Sequence, residues 1–335
     1  MCTRCFWVTF EQGIMKQAYQ KMRGLGDRLE FMNGKIDWNR FVPIIRDVFH
    51  DNKETGGRPH TDEILFIRTT VLQSLYGLSD EELEFQCHDR LSFRNFLGFP
   101  ESIPDFSTVW KIRERLKEAG KENMIWDELQ RQLNAKGYIV KRGVIQDASF
   151  VHADLGKKRY QKEKKAEKEG KKIEYTDNQL SHIDKDATFS VKNEQVYYGY
   201  KQHTKSCVDY GLIRDYDVTT ASVHDGKINL ITPKDIAGYR DKGYFGTRLP
   251  KSVKDKTMQR ATRGHPLTKK QKERNTRISK IRSLGERPYS VIKRTFDGGA
   301  TFVKTLARVS IKEMFKCFAF NAYQLVTIEK KKCLA

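Results

Sequence analysis

The feature that most constrains the fold is a change in hydrophobic period near residue 136 of a 335-residue chain. Up to about residue 135, apolar residues recur every three or four positions, which is typical of amphipathic helices. From Lys141 onward they alternate or form short continuous runs, which is typical of β-strands. The sequence therefore predicts an all-helical domain over residues 13–135 and an α/β domain over residues 136–335, with a charged insertion at about 155–187.

The helical part carries local signals for where helices begin and end. They are Thr61-Asp62-Glu63 after Pro59 for a start, Gly77 for an end, Ser79-Asp80-Glu81-Glu82 for the next start and Ser107-Thr108 for a third. The third helix carries Lys111, Arg113 and Arg115. Short helices with a basic last member fit a helix-turn-helix that docks on duplex DNA. The alternative is an ordinary solvated helix face.

Three stretches of the second part predict strands: Arg142 to Phe150, Gln195 to Cys207 and Leu212 to Val223. The turn residues Val208 to Gly211 separate the last two, so we expect an antiparallel hairpin. Lys157 to Lys172, between the first and second strands, contains nine lysines and arginines, three glutamates and almost no apolar residue. This composition predicts a charged loop or frayed helix outside the core.

Two helices are expected near the C-terminus. Pro288 fits the first turn of a helix that begins at Glu286 or Arg287. The capping-box pattern Ser310-x-x-Glu313 predicts the start of the last helix, which carries an apolar face for the core.

The net charge of the chain is strongly positive and unevenly distributed. There are 63 lysines and arginines against 43 acids, a formal charge of +20, which favours a polyanionic partner and nucleic acid above all. Residues 251–294 contain 15 of the lysines and arginines and three acids, a net +12 within 44 residues. The expected nucleic-acid contact is therefore concentrated in this segment.

Neither a membrane segment nor a disulfide framework is expected. No stretch approaches the 18 uninterrupted apolar residues that a membrane helix needs. The first residues lack the pattern of a secretory signal, and the six cysteines are scattered. We expect a cytoplasmic chain with reduced thiols, with a zinc site at Cys2 and Cys5 as the alternative.

Three carboxylates occupy positions that suit metal-dependent cleavage of a phosphodiester. Asp147 sits at the end of an apolar strand, Asp241 lies between a short strand and a glycine turn, and Glu286 lies in the basic segment. Two Mg²⁺ ions held by a few carboxylates can cleave such a bond without a protein nucleophile. Each residue also has an ordinary alternative, since an aspartate at a strand end often caps a turn and a glutamate beside an arginine often forms an ion pair.

Five short motifs follow one another in a defined order: Gln146-Asp147-Ala148-Ser149, Tyr198-Gly199-Tyr200-Lys201-Gln202-His203, Ala221-Ser222-Val223-His224-Asp225, Arg240-Asp241-Lys242-Gly243-Tyr244, and Arg282-x3-Glu286-x-Pro288-Tyr289-x-Val291-Ile292-Lys293-Arg294. Their order and spacing resemble the DDE transposases of bacterial and archaeal insertion sequences, in the group with the Y-x2-R-x3-E-x6-K signature. The helical part resembles that family's N-terminal domain in Gly57-Arg58-Pro59, Leu78 to Leu83 and Pro104 to Thr108. The resemblance runs from about residue 35 to the end.

The resemblance implies an RNase H-like fold: a mixed five-stranded sheet with flanking helices, preceded by the all-helical domain. It places the first aspartate on the central first strand, the second at the end of the fourth strand, and the glutamate on a following helix. Asp147, Asp241 and Glu286 would then hold Mg²⁺, with Mn²⁺ as a substitute.

The resemblance also implies contacts with DNA. Arg282 and Lys293 fill the arginine and lysine of the signature and would touch phosphates of the element ends. The further expected DNA-binding residues are Arg287, Arg294, Lys201 and His203. A metal role for His203 or His224 is the less favoured interpretation, because Mg²⁺ prefers oxygen ligands.

Two departures from the family pattern stand out. The tyrosine of the signature falls on Ser279, with Tyr289 as the candidate to supply a ring instead. Only 15 residues separate Asp225 from Asp241, so the link between the third and fourth strands is short.

The implied activity is that of a DNA transposase. It would bind terminal inverted repeats, cleave at the element ends and join the 3′-hydroxyl to target DNA, as a homodimer on paired ends at the nucleoid. Two alternatives stay open: a structure-specific nuclease on the same fold, and a catalytically inactive DNA-binding protein descended from a transposase.

Overall fold

The computed structural model of the protein describes residues 10–49, 61–155, 157–192 and 194–334. The motif Gly57-Arg58-Pro59 and the pair Cys2 and Cys5 lie outside these ranges. The chain divides into two compact units. One contains the described residues up to Tyr138 and those from Phe318 on, and the other is Ile139–Cys317.

The first unit is helical, as the period of its sequence predicts. Its helices are α1 (Phe10–Arg23), α2 (Arg28–Asn33), α3 (Val42–Phe49), α4 (Glu63–Tyr76), α5 (Asp80–Asp89), α6 (Leu91–Leu97), α7 (Phe106–Ala119) and α8 (Glu122–Ala135), with a 3-10 turn at Trp38–Phe41. Buried aromatic rings form much of the core, and the rings of Phe41 and Phe318 are 5.6 Å apart.

Two of the three predicted helix starts in this unit are confirmed. Asp62 caps α4 by accepting a hydrogen bond from the Leu65 amide, and Ser79 caps α5 by accepting one from the Glu82 amide. Gly77 ends α4 at a φ of 63°, in the left-handed region that favours glycine.

The third predicted cap is wrong. Asp105, not Ser107 or Thr108, caps α7, because its carboxylate directly precedes the helix and accepts from the Thr108 amide at 2.6 Å. Arg113 on this helix pairs with Asp80 of α5 at 2.6 Å. Arg113 is therefore neither a solvated cation nor one presented to a ligand in this arrangement.

The second unit contains the sheet and its flanking helices. Its strands are β1 (Val144–Ala153), β2 (Thr188–Lys192), β3 (Gln195–Cys207), β4 (Ile213–Thr220), β5 (Ala237–Arg240), β6 (Lys254–Thr257) and β7 (Ala300–Thr301). Its helices are α9 (Lys157–Lys168), α10 (Asp177–Ser181), α11 (Lys269–Arg282), α12 (Glu286–Arg294) and α13 (Leu306–Leu334), whose residues after Cys317 belong to the first unit.

The described residues form a seven-stranded mixed sheet, in which five strand positions can be recognised. β1 pairs with β3 antiparallel and with β5 parallel, and β6 is parallel to β5. The outer edge of β3 is shared by β2 and β4, and the other edge of β1 is shared by β5 and β7. The mixed α/β class is confirmed, and the count is seven rather than five because two positions are each filled by two short strands.

The observed ends of β1 and β3 can be compared with the strands predicted from sequence. β3 begins and ends as predicted, and it forms the expected hairpin with β4. β1 runs to Ala153, so Asp147 is the fourth residue of a ten-residue strand rather than its end. Extended pairing with β3 as far as His152 explains the longer strand.

The last helix begins earlier than its sequence suggests. α13 starts at Leu306, whose amide donates to Asp186 at 2.7 Å, so a distant carboxylate caps it. Glu313 is fully buried and accepts from Lys316 at 2.7 Å and from Gln202 at 3.0 Å. The predicted capping box is therefore wrong, since Glu313 packs inside the protein. Over the described ranges, none of the helices combines the length and apolarity needed to cross a bilayer.

Candidate active site

The start of α12 lies against β1, and this contact brings Glu286 close to the strand that carries Asp147. A Cβ atom at Gly285 would lie 2.6 Å from Cγ2 of Ile145. Only glycine permits so close an approach. Gly285 is thus required by the packing of α12 against β1.

Arg282 connects two of the three predicted carboxylates. Its Nη1 donates to Oδ2 of Asp147 at 2.9 Å, and its Nη2 donates to Oε1 of Glu286 at 2.8 Å. The side chains of Arg282 and Asp147 are each 19% exposed, whereas that of Glu286 is 60% exposed. The inner ion pair is therefore shielded from solvent and the outer one is not.

Asp241 joins this cluster through the parallel pairing of β1 with β5. Ile145 lies opposite Tyr239 in the register, and continuing that register by two residues sets Asp147 opposite Asp241. Oδ1 of Asp241 accepts from the Gly243 amide at 2.8 Å, which begins the turn after β5. Asp241 thus follows the end of β5 at the level of Asp147, which lies within the neighbouring strand β1.

Burial raises the pKa of Asp147 to about 6. The positive charge of Arg282 and a hydrogen bond from the Ala148 amide lower the pKa, and the negative charge of Asp241 raises it. Burial outweighs the ion pair because desolvation penalises the charged carboxylate. Asp147 and Asp241 therefore form a site at which a bound cation would relieve repulsion.

The three candidate carboxylates offer oxygen donor atoms, which suit a hard divalent cation. Mg²⁺ prefers carboxylate oxygens, and Asp147, Asp241 and Glu286 supply only these. Within the described residues, however, no three acidic, histidine or cysteine side chains are close enough to share an ion. Glu286 is bonded to Arg282, so completing a shared site requires that carboxylate to exchange its partner.

Tyr289 fixes α12 to the sheet at the position of Asp147. Its buried hydroxyl donates to the backbone carbonyl of Asp147 at 2.7 Å and accepts from Thr204 at 2.9 Å. Thr204 lies opposite Asp147 in the register of β1 and β3. Tyr289 is one helical turn after Glu286, so a single side chain ties the glutamate-bearing turn to the aspartate-bearing strand.

Two of the residues expected to bind DNA lie inside the protein. Lys201 is 8% exposed and donates to the Val223 carbonyl and to Asp225 at 2.8 Å. His203 is fully buried, its Nε2 bonds with Thr219, and burial lowers its pKa to about 4. Their contact with DNA stays a prediction that this placement does not favour.

The other expected DNA contacts lie on or beside α12. Arg287 and Arg294 are exposed, and Lys293 is half-buried. Burial lowers the pKa of Lys293, and the negative charge of Glu313 offsets part of that shift. Arg282, expected at phosphates, is instead engaged with Asp147 and Glu286.

Two side chains beside the candidate carboxylates have structural roles that the sequence does not predict. One is Tyr289, expected only to replace the ring of the signature tyrosine, whose hydroxyl instead anchors the backbone of Asp147. The other is Arg240, fully buried just before Asp241, whose guanidinium donates to Thr257 at 2.9 Å and to the Thr247 carbonyl at 2.7 Å. Their adjacency to the carboxylates in the motifs was the available signal.

Most of the chain is similar in sequence to known transposase families. Residues 140–322 match the family described as "Transposase DDE domain", and residues 17–115 match the family described as "Transposase domain (DUF772)". The "Transposase for insertion sequence element IS1106" of Neisseria meningitidis serogroup B is 29% identical over 204 residues, which cover 58% of this chain and 69% of that protein. No solved structure gives a significant match.

Proposed function

The chain belongs to the DDE transposases of insertion sequences, and from this premise we propose that it binds terminal inverted repeats, cleaves at the element ends and joins the 3′-hydroxyl to target DNA. One observation carries the proposal. Arg282 links Asp147 to Glu286, and Asp241 directly follows β5, the strand that pairs in parallel with the strand of Asp147.

Asp147, Asp241 and Glu286 would hold the divalent cation, Mg²⁺ or Mn²⁺ as its substitute. Two such ions supply activation of the attacking oxygen and stabilisation of the leaving oxygen. The protein contributes a largely buried carboxylate on a central strand, a second just after the neighbouring parallel strand, and a third on a helix anchored through Tyr289. Arg282 balances the charge of this cluster and keeps Glu286 beside Asp147.

The DNA would approach along the basic segment that surrounds Glu286. Arg287, Lys293 and Arg294 lie on the same helix as that glutamate. Cations beside a carboxylate cluster hold a polyanion that the carboxylates would otherwise repel. We infer a homodimer on paired ends, because two ends must be joined, and a cytoplasmic location at the nucleoid, where the substrate lies.

The decisive experiment replaces Asp147 by asparagine. Asp147→Asn should abolish Mg²⁺-dependent cleavage of DNA that carries the element end, while binding to that DNA in a gel-shift assay persists. Asp177→Asn, which removes an exposed aspartate from α10, is the matched control and should cleave normally. Cleavage that survives in Asp147→Asn would refute the assignment.

A nuclease on the same fold would cut the same DNA without joining it. Incubating protein, labelled element ends and supercoiled plasmid separates the two functions, since only a transposase yields plasmid joined to the label. A catalytically inactive descendant would show salt-sensitive binding and no cleavage at any metal concentration. Inverted repeats bounded by short direct duplications in the DNA that flanks the gene would further support transposition.

A further inference from the structure

A buried ion pair on α13 contacts the turn that ends α12, and no role in the candidate active site accounts for it. Glu313 is fully buried, and Lys316 is 3% exposed. Nζ of Lys316 donates to Oε1 of Glu313 at 2.7 Å. Removing two charges from water costs about as much free energy as their attraction returns, so stability alone is a weak reason for such a pair. What the pair holds in place is therefore informative.

The cation of the pair holds the turn after α12. Nζ of Lys316 also donates to the Gly298 carbonyl at 2.8 Å, and the Gly298 amide donates to the Ile292 carbonyl at 2.8 Å. A Cβ atom at Gly298 would lie 2.8 Å from Cγ2 of Ile292 and 3.2 Å from Cδ of Lys316, so the lysine stem packs closely on the turn. The next carbonyl, that of Gly299, accepts from the His152 amide at 3.0 Å. The turn is thus held between α13 and β1.

The anion of the pair reaches the anchor of α12 through one residue of β3. Nε2 of the buried Gln202 donates to Oε2 of Glu313 at 3.0 Å. The backbone carbonyl of Gln202 lies 3.3 Å from the hydroxyl of Tyr289, which also donates to the Asp147 carbonyl at 2.7 Å. Glu313 therefore fixes the side chain of the residue whose backbone borders the Tyr289 anchor.

These contacts hold α12 at both ends, which matters because the helix is short. It has nine residues, so it is about 13 Å long at a rise of about 1.5 Å per residue. A tilt of about 5° around one end would move the other end by about 1 Å. A displacement of about 1 Å in a catalytic group can reduce a rate about 100-fold. The place of Glu286 at the start of α12 thus depends on how firmly both ends are held.

The pair also lies close to the lysine of the signature. A Cβ atom at Gly299 would be 3.7 Å from Cγ of Lys293, so the stem of that lysine borders the same turn. Burial lowers the pKa of Lys293, the charge of Lys316 lowers it further, and the charge of Glu313 raises it. One carboxylate thus acts on two lysines, one on each helix.

We propose that Glu313 and Lys316 are positioning residues for the cleavage reaction. They hold both ends of α12 and so keep Glu286 at its start and Lys293 near its end in their places. The inference rests on the proposed function, because it takes α12 to carry residues of the reacting site. It assigns a use to a buried ion pair that contacts neither DNA nor metal.

The test separates positioning from stability by removing the pair as a unit. Glu313→Gln and Lys316→Met each leave one buried charge without its partner, so each should lower the urea midpoint of unfolding. The double variant Glu313→Gln/Lys316→Met removes both charges at similar volume, and its midpoint should return towards that of the wild type. It still lacks the ammonium group that donates to the Gly298 carbonyl.

The double variant should therefore be stable but slow. We expect its single-turnover cleavage of element ends at saturating Mg²⁺ to stay about 10-fold below the wild-type rate. Hydrogen exchange in EDTA, without DNA, should be faster over residues 286–298 and unchanged in α11. A double variant that regains the wild-type midpoint, cleavage rate and exchange together would overturn the proposal, because the pair would then serve stability alone.

Gln202→Met keeps the test valid if the double variant does not fold. This change leaves the ion pair intact and removes only the amide that donates to Glu313. It should slow cleavage about 3-fold, as for loss of one buried hydrogen bond. A wild-type rate in Gln202→Met would contradict the proposed link between Glu313 and the Tyr289 anchor.

Lys205→Met is the matched control for destabilisation. Lys205 is a similarly buried lysine, 6% exposed, whose carboxylate partners are Asp215 on β4 and Asp235 before β5, at 3.5 and 3.4 Å. The variant should lower the urea midpoint as Lys316→Met does, yet cleave within about 2-fold of the wild-type rate while folded. Equal slowing in Lys205→Met would overturn the proposal, since loss of stability would then explain the effect.

The measurements also separate this proposal from the proposed function. Urea unfolding and hydrogen exchange need neither metal nor DNA. If Asp147→Asn still cleaved DNA, the catalytic assignment would fail, while exchange over residues 286–298 would still decide whether the pair holds α12. If cleavage required Asp147 but the double variant matched the wild type in rate and exchange, this proposal alone would fail.

Discussion

The two most basic helices of the second unit, α9 and α11, use their charge differently. In and after α9, Lys165 and Lys171 pair with Glu169, at 3.9 and 2.9 Å, and Tyr175 donates to Glu163. These contacts stay inside the insertion. α11 instead reaches the sheet, through Arg274 at the end of β6 and Arg282 at Asp147.

The comparison teaches that density of positive charge does not identify a functional surface. Both segments look alike in composition, but only α11 is held where it meets a carboxylate of the central strand β1. A cation close to a buried carboxylate changes the chemistry of that group, whereas one that meets a neighbouring exposed acid is screened by water and salt. Substitutions in α11 and its partners should therefore affect cleavage far more than substitutions in α9.

Arg282→Ala should reduce cleavage of element ends about 100-fold, because it removes the positive charge that balances Asp147 and Glu286 and keeps the two carboxylates together before a cation binds. Single-turnover cleavage rates at saturating Mg²⁺ measure the loss. Lys165→Ala, which removes a cation paired inside the insertion, is the control and should retain the wild-type rate. An unchanged rate in Arg282→Ala would remove the distinction between the two helices.

Asp147→Asn should stabilise the metal-free protein by about 3 kcal/mol at pH 7.5. The pKa of Asp147 in the folded chain is about 6, above that of an unfolded aspartate, so the wild type loses stability as the pH rises from about 4 through 6. The gain in the variant should therefore grow over that range and level off above it. Urea unfolding in EDTA at several pH values measures the difference.

Glu169→Gln is the matched control for this stability measurement. Its exposed carboxylate pairs only within the insertion in the contacts described, so the variant should differ from wild type by less than about 0.5 kcal/mol. A gain for Asp147→Asn that is the same at every pH would contradict burial of the charged form as its cause.

Tyr289→Phe should reduce cleavage about 10-fold and destabilise the protein by about 1 kcal/mol, because the Asp147 carbonyl and the Thr204 hydroxyl both lose a partner. The rate measured as a function of Mg²⁺ concentration should show weaker apparent affinity for the ion. Tyr175→Phe, which removes a hydroxyl bonded to Glu163 in the insertion, should change neither quantity.

The smallest effect is expected for the triple variant Lys162→Ala, Lys165→Ala and Lys168→Ala in α9. Cleavage at about 0.15 M salt should change less than about 2-fold, because exposed charges are screened beyond about 8 Å. Rates at low and physiological salt check this expectation. A loss comparable to that of Arg282→Ala would mean that the insertion holds DNA as closely as α11 does.

The sequence predicted best those features that depend on neighbours along the chain. Helix α4 begins after Asp62 and ends at Gly77, and α5 begins after Ser79, as predicted. These ends were predictable because a cap is completed within three or four residues. The hairpin of β3 and β4 followed from alternation and a turn. The candidate carboxylates were found by motif order, and their roles stay a proposal.

Local sequence patterns gave wrong predictions for features that depend on residues distant in the sequence. Asp186 caps α13 across more than 100 residues of sequence, which no reading of Ser310 and Glu313 could detect. Lys201 and His203 belong to a motif that resembles a DNA site, but the sheet buries both of them. The type of a cationic or aromatic residue in a strand does not show whether its face of the sheet will be buried by tertiary packing.

The change from helical to β period, the position of the excess charge and the candidate carboxylates can all be read from the order of residues. That Arg282 meets Asp147, 135 positions away, and that Tyr289 ties their elements together follows from tertiary packing alone. Hydrogen bonds and caps within a few residues are fixed by local geometry. The environment that sets a carboxylate's charge is assembled from strands and helices far apart in the chain.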